Sequence, residues 1–382
     1  MIRLLTILFC VVGLNAQNIN YAKHNIHTHT PKSGNIQVLG SYLKMNDTLD
    51  VLNIKESEFG TSTVNYDSLG DMDGYELELR YSISDSLMLD YTRTNENISY
   101  GENVLNNNRD EIFLRYNFLN SKMSLINGLS IDIGYVKNRA KDIYIRDLDD
   151  INSMLNKVAK DEGVDYNIKI EPHPLAGSPF PHVINDYTND PSNPTTLGNG
   201  LELSPYFSSE NLSDESQYIR LLANITSSHL LTDFFIGYKK TKISTFVDSS
   251  LHYETDISLQ NELDNRNITP YKRLDRDEEM AFFGVNISYD DTKYNMAYEF
   301  CYEYDMLFRD NGLDYRDYNH IIKANISKVI DKNLLLSVGG KIMMTQFSGQ
   351  IPYLYNKYSQ TSFDHKYGYM NIGLSYKFNI GE

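Results

Sequence analysis

Charged side chains stand at every second position in several stretches of the sequence. Glu76, Glu78 and Arg80 alternate with Tyr75, Leu77, Leu79 and Tyr81. The same phase carries Asp90, Glu111, Arg115, Asp132, Arg220, Asp233 and Lys239, and later Glu299, Glu303, Lys323 and Lys341. Period two places such residues on one face of an extended chain and their apolar partners on the other. If the sheet closes on itself with the apolar face outward, these side chains line the inside. With Asp305 and Lys377 the set holds nine acids and seven bases, a nearly balanced wall. One chemistry for such a wall is a charged eyelet that orients and selects solutes. The other is a salt-bridged filling that closes a narrow lumen. The residues alone leave both open.

Other groups offer less. His24, His27 and His29 sit close enough to share a divalent metal such as Zn²⁺, Cu²⁺ or Ni²⁺, or to form an unoccupied polar stretch. Asp71-Met72-Asp73-Gly74 is a fragment of a calcium-loop pattern without its closing Glu. A hydrolase at the rim would need a Ser/His or Asp/His group. His229 follows Ser227 and Ser228 in a short turn, His252 lies in a long loop, and His320 has no serine suitably near. No enzyme activity and no cofactor is expected. Cys301 is the one cysteine downstream of residue 16, so no intrachain disulfide is expected.

The elements that must position the charges are strands. Residues 1–16 have the parts of a cleaved secretory signal: Arg3, an apolar run Leu4 to Leu14, and Ala16 before the cut. No later stretch reaches the ~18 apolar residues of a membrane-spanning helix. The mean hydropathy of −0.44 is compatible with a barrel, whose two faces average out. Alternation predicts twelve strands, near 35–45, 75–83, 87–98, 109–118, 129–145, 215–226, 230–247, 279–289, 293–308, 318–329, 333–347 and 367–378. The connectors alternate in length. Long ones fall at 46–74, 99–108, 146–214, 248–278, 309–317 and 348–366, with short ones between. This sorting predicts an all-β, twelve-stranded antiparallel up-and-down transmembrane β-barrel, with short periplasmic turns and long extracellular loops. Residues 17–34 are then a periplasmic stub and 35–382 the barrel.

The sequence holds 30 Tyr, 16 Phe and no Trp. Tyr81, Tyr91, Tyr116, Tyr135, Tyr238, Tyr289, Tyr294, Tyr304 and Tyr376 share the apolar phase near strand ends, as girdle residues at a membrane–water boundary do. The export signal, the loop sorting and the closing Tyr376-Lys377-Phe378 resemble the bacterial outer-membrane β-barrel superfamily. In that group the last strand usually ends on a terminal aromatic; here Asn379-Ile380-Gly381-Glu382 follow.

Segment 146–214 departs furthest from plain barrel design. Leu148, Ile151, Leu155, Val158 and Ala159 predict a short helix, and the proline-rich remainder predicts irregular extended chain. It is read as a constriction folded into the mouth or a cap above it. Acidic loops at 46–74, 146–214 and 248–277 predict a cation-attracting rim. The expected function is a porin-like outer-membrane channel for small hydrophilic solutes or ions, weakly cation-preferring. The alternative is a closed anchor whose loops bind a partner or lipopolysaccharide. Membrane lipid and lipopolysaccharide are the expected surroundings, no nucleic acid is expected, and self-association is left open.

Overall fold

The computed structural model describes residues 32–46, 48–49, 71–100, 103–120, 126–141, 143–145, 152, 167–176, 178, 182–200, 207–227, 229–249, 276–309, 318–343 and 367–379. The histidine group at 24–29, the signal at 1–16 and almost all of the expected helix lie outside them.

Twelve long strands close into one antiparallel barrel. In chain order they are β1 (Asn35–Met45), β2 (Met72–Ser84), β3 (Leu87–Tyr100), β4 (Asn103–Asn120) and β5 (Gly128–Ala140). After a short β6 (Ile143–Ile145) and a separate three-stranded sheet of β7 (Ile168–Pro172), β8 (His182–Asp186) and β9 (Thr195–Gly200), the barrel resumes. It continues with β10 (Phe207–Ser227), β11 (Leu230–Ser249), β12 (Arg276–Asp291), β13 (Met296–Arg309), β14 (Tyr318–Asp331), β15 (Leu334–Met343) and β16 (Tyr367–Asn379). Closure is made by β1 against β16, in register from Asn35↔Asn379 to Lys44↔Met370. Chain neighbours pair throughout, and β10 bridges β5 and β11. No barrel strand is left with an open edge, which is the condition for placing backbone in lipid.

The alternation sets which way each side chain points. Leu77, Leu79, Ile133, Ile236, Ile372 and Leu374 are exposed on the outside, while Glu78, Arg80, Asp132, Asp233 and Ser375 are buried within. The first strand, apolar on both faces, follows the same rule: Val38 and Tyr42 point out, and Leu39 and Leu43 fill the interior. The outer belt is about nine residues tall on β11, from Leu230 to Tyr238, close to the ~9–11 residues needed to cross a bilayer. Above it the outer face turns charged. Arg93 pairs with Asp110 at 3.4 Å, Lys137 with Glu215, and Lys240 with Asp277 at 3.6 Å. Tyr91, Tyr135 and Tyr238 stand at that border, and the Tyr91 hydroxyl donates to Asp110 at 2.7 Å. Tyr116, Tyr289, Tyr294 and Tyr376 lie toward the opposite edge.

Five of the six connectors on one rim are long, the β3–β4 hairpin being the exception, and the two ends of the barrel chain lie together on the other rim. The turns there are tied by side chains. Asp291 accepts the backbone N–H of Lys293 and Tyr294, at 3.0 and 3.2 Å. Asn295 closes this turn at φ 53°, a left-handed value that Asn tolerates. Ser33 N donates to Asp85 at 2.8 Å, holding the chain before β1 against the β2–β3 turn.

Five expectations are corrected. The long loop expected at 99–108 is a hairpin: β3 runs to Tyr100 and β4 starts at Asn103. A polar ladder carries it, with Asn95 donating to Asn108 at 2.9 Å and Asn107 to Glu96 at 3.4 Å, so no apolar alternation marks it. The single strand expected at 129–145 breaks after Ala140, and β6 pairs with the start of β10. Strand β10 begins at Phe207, not 215, through the polar run Ser208–Ser216. Strand β13 starts at Met296, not 293, because the Asp291 turn takes up the residues before it. The proline-rich half of 146–214 also departs from irregular chain, since β7, β8 and β9 form an ordered sheet there. Pro172 sits at the end of β7, where a missing N–H is tolerated.

Candidate functional site

The lumen has two levels. Toward the short rim, inside the apolar belt, inward side chains from all twelve strands pack into a floor. Gln37, Ser82, Asp90, Asn117, Ser130, Leu222, Asp233, Asn286, Cys301, Asn325, Leu335 and Ser375, one from each strand in turn, are all buried. A water-filled bore at this level would leave such side chains wet.

Two ion-paired groups dominate the floor. Arg115 forks onto Asp132, Nε to Oδ1 at 2.6 Å and Nη2 to Oδ2 at 2.8 Å. Arg220 reaches the same carboxylate from β10, at 2.9 and 2.6 Å. Two cations on one anion leave a positive excess, which aromatic faces help to hold. The Phe113 ring lies 5.4 Å from the Arg115 guanidinium and 5.7 Å from that of Arg220. The second group has the opposite excess, with Arg80 Nε between Glu78 at 2.5 Å and Asp90 at 2.9 Å. Elsewhere Asn224 donates to Asp233 at 2.9 Å, and Asn325 donates toward Glu299 at 3.3 Å. Phe113, Leu222, Phe235, Phe282 and Cys301 fill the space between.

Glycines make room for the large inward rings. A Cβ on Gly134 would lie 2.2 Å from the Tyr218 ring, so only glycine on β5 lets that ring lie flat inside. Tyr218 then donates its hydroxyl to Glu111 at 2.9 Å.

Above the floor a cavity of about 230 Å³ opens, near the upper border of the apolar belt. Of the sequence-expected wall residues, Glu76, Glu78, Glu111, Arg220, Lys239, Glu303, Asp305, Lys323 and Lys341 border it. Six others, Arg80, Asp90, Arg115, Asp132, Asp233 and Glu299, point inward but are buried in the floor, and Lys377 does not border the cavity. Ion pairs cross the cavity wall: Arg109 to Glu111 at 2.9 Å and Lys323 to Glu303 at 3.8 Å. Glu78 and Arg220 belong to both levels, so a change in the cavity reaches the floor through them.

Sequence reasoning missed Glu96, Arg109, Tyr218 and Tyr369 on the cavity wall. Glu96 shares the phase of Asp90, and extending that phase to the strand end would have found it. Arg109 is the first residue of the strand that alternation predicts, where facing is ill defined, whereas β4 begins at Asn103. Tyr218 and Tyr369 were hidden by the girdle reading of tyrosine, although their phase matches Arg220 and Lys377.

The other candidate chemistries find little here. Among the described residues no cluster of His, Cys, Asp and Glu is arranged to hold a metal. His320 faces outward, with Tyr302 Oη 2.8 Å from its Nδ1 and the Tyr304 and Tyr318 rings around it. His252 lies outside the described residues.

A closed antiparallel barrel with an apolar outer belt, bordering tyrosines and a polar interior is a transmembrane β-barrel of the outer-membrane type. No family model and no curated protein matches the chain by sequence. Solved structures of similar shape include the KdgM porin, at 11% identity and TM-score 0.32, covering 90% of this chain and 99% of that one. The P. putida toluene transporter TodX follows at 11% and 0.39, covering 92% and 91%. The translocator domain of the autotransporter NalP from Neisseria meningitidis aligns at 9% and 0.42, covering 91% and 90%. These likenesses are distant, and the class rests on the chain's own register, belt and interior.

Proposed function

We propose that the barrel is a narrow outer-membrane channel for small hydrophilic solutes, with the long connectors extracellular. In this reading solute collects in the charged cavity and passes when the ion-paired floor rearranges. The observation that carries it is the chemistry of the floor. Replacing buried ion pairs by apolar packing is often neutral, or stabilising by ~1–4 kcal/mol, so an inert plug has no need of them. Charged groups that exchange partners suit a constriction that opens. The acidic long connectors support a modest preference for cations at the mouth.

The test is a planar-bilayer recording of the purified protein beside the double variant Asp132→Ala/Arg220→Ala. Wild type should give small discrete steps, with reversal potentials in a KCl gradient leaning toward potassium, and the variant should give larger ones. Silence from both proteins would sink the channel reading.

One observation favours a second reading. Every strand contributes a buried side chain to the floor, as in a filled anchor that displays its loops. That reading predicts no conductance from either protein.

A further inference from the structure

Six acids and five bases border the cavity, so a solute of one sign meets like charge on much of the wall. Several of these groups are already paired, Arg109 with Glu111 and Lys323 with Glu303 on the wall, and Arg220 with Asp132 of the floor. One side of the cavity differs. There Lys341 of β15, Tyr369 and Asn371 of β16, Glu76 of β2 and Glu96 of β3 stand on four nearly consecutive strands.

Lys341 and Glu96 lie within electrostatic reach of each other, yet among the described residues Lys341 makes no ion pair within 4 Å. Glu76 likewise has no hydrogen bond or ion pair among the described residues. The Asn371 side-chain nitrogen is buried with no acceptor. A donor pair and an acceptor pair therefore face a shared space with capacity to spare, Glu96 accepting from Asn107 alone among the described residues, at 3.4 Å, and the unsatisfied buried nitrogen of Asn371 calls for an explanation.

We propose that this side of the cavity is a binding site for a small zwitterion bearing a carboxylate and an ammonium group, of amino-acid size. The ligand carboxylate lies between Lys341 Nζ and Asn371 Nδ2, and its ammonium is held by Glu76 and Glu96. The volume of about 230 Å³ is below the ~300–1,000 Å³ of pockets for drug-sized ligands, which sets the size class. A ligand with both signs satisfies both walls at once, whereas an anion or a cation alone leaves one set unpaired. The proposal uses the same cavity as the channel reading but does not require conduction.

The experiment is saturation-transfer NMR on the full detergent-solubilised barrel, with alanine, acetate and ethylammonium as separate probes at equal concentration. Alanine should give a transfer signal at least fivefold above either single-charge probe. Lys341→Gln and Glu96→Gln should each lower it at least fivefold, with circular dichroism reporting whether the variant is folded. If a variant fails to fold, the three-probe comparison on wild type decides. No alanine signal, equal signals from acetate or ethylammonium, or alanine binding unchanged in both folded variants would each overturn the site. Alanine binding in a protein silent in bilayers would remove the channel and leave the site standing; conductance without alanine binding would do the reverse.

Discussion

At the scale of single residues, the floor depends on pairing. Asp132 is the shared counter-charge of Arg115 and Arg220, and all three are withdrawn from water. Removing one partner of a buried pair costs about 3–5 kcal/mol, because a bare charge remains in a poor solvent. Asp132→Ala should therefore lower the urea midpoint of folding into vesicles, and by more than Asp233→Asn, which keeps a neutral acceptor for Asn224. In the separate sheet of β7 to β9, Glu171 accepts from Tyr187 Oη at 2.6 Å and from Asn185 Nδ2 at 2.9 Å. These bonds hold its carboxyl below the ordinary value of 4.5. A depressed folded value means the contribution is complete above the ordinary range and is lost as pH falls through the folded value. The Tyr187 ring signals should thus be constant above pH ~5 and shift only in stronger acid. Glu171→Gln should abolish that titration, and a titration unchanged by the variant would assign it to another group.

At the scale of elements, the inward rings and the glycines opposite them act as pairs. Gly134 on β5 gives way to Tyr218 on β10, and Gly284 on β12 to Phe235 on β11. Gly134→Val forces the Tyr218 ring away from Glu111, and overpacking of this kind typically costs ~1–3 kcal/mol. If the clash is the cause, adding Tyr218→Ala should leave the double variant more stable than the two single losses summed. Equal or greater loss would place the strain in the β5 backbone instead. The same scale explains the misread hairpin of β3 and β4. Asn95 bonds to Asn108 and Asn97 to Asn106 across the strands, and Asn108 to Asn106 along β4, which supports extended pairing on a face of amides.

For the whole molecule, the outer belt separates a membrane barrel from a soluble one. Ile133 is 62% exposed on the outside of β5, midway between the borders of the belt. Arginine at such a depth costs about 2–4 kcal/mol in lipid and almost nothing in water. Ile133→Arg should lower folding stability in vesicles by that amount, while Glu215→Arg, above the belt, should change it little. Equal effects at the two positions would put the membrane border elsewhere. The asymmetry of the barrel has the same origin. Strands β10 and β11, of 21 and 20 residues, are about twice what the bilayer requires, and their outer faces turn polar where the belt ends. The barrel therefore projects beyond the belt on the long-connector side.

The sequence alone determined what depends on period and composition. Alternation of Tyr75 to Ile83 and of Met370 to Phe378 fixed the strands and their outward faces, because a pleated chain has no other way to divide two solvents. The even count of twelve alternating segments placed the two ends of the barrel on one rim. Composition could not tell a wall from a floor. Asp90 and Glu76 have the same phase and similar chemistry, and only closure of the sheet puts one beside Arg80 and leaves the other facing open space. Height in the lumen, together with the size of the ring across the way, decides which charges are consumed in pairs. Those quantities belong to the closed barrel and to no stretch of chain within it.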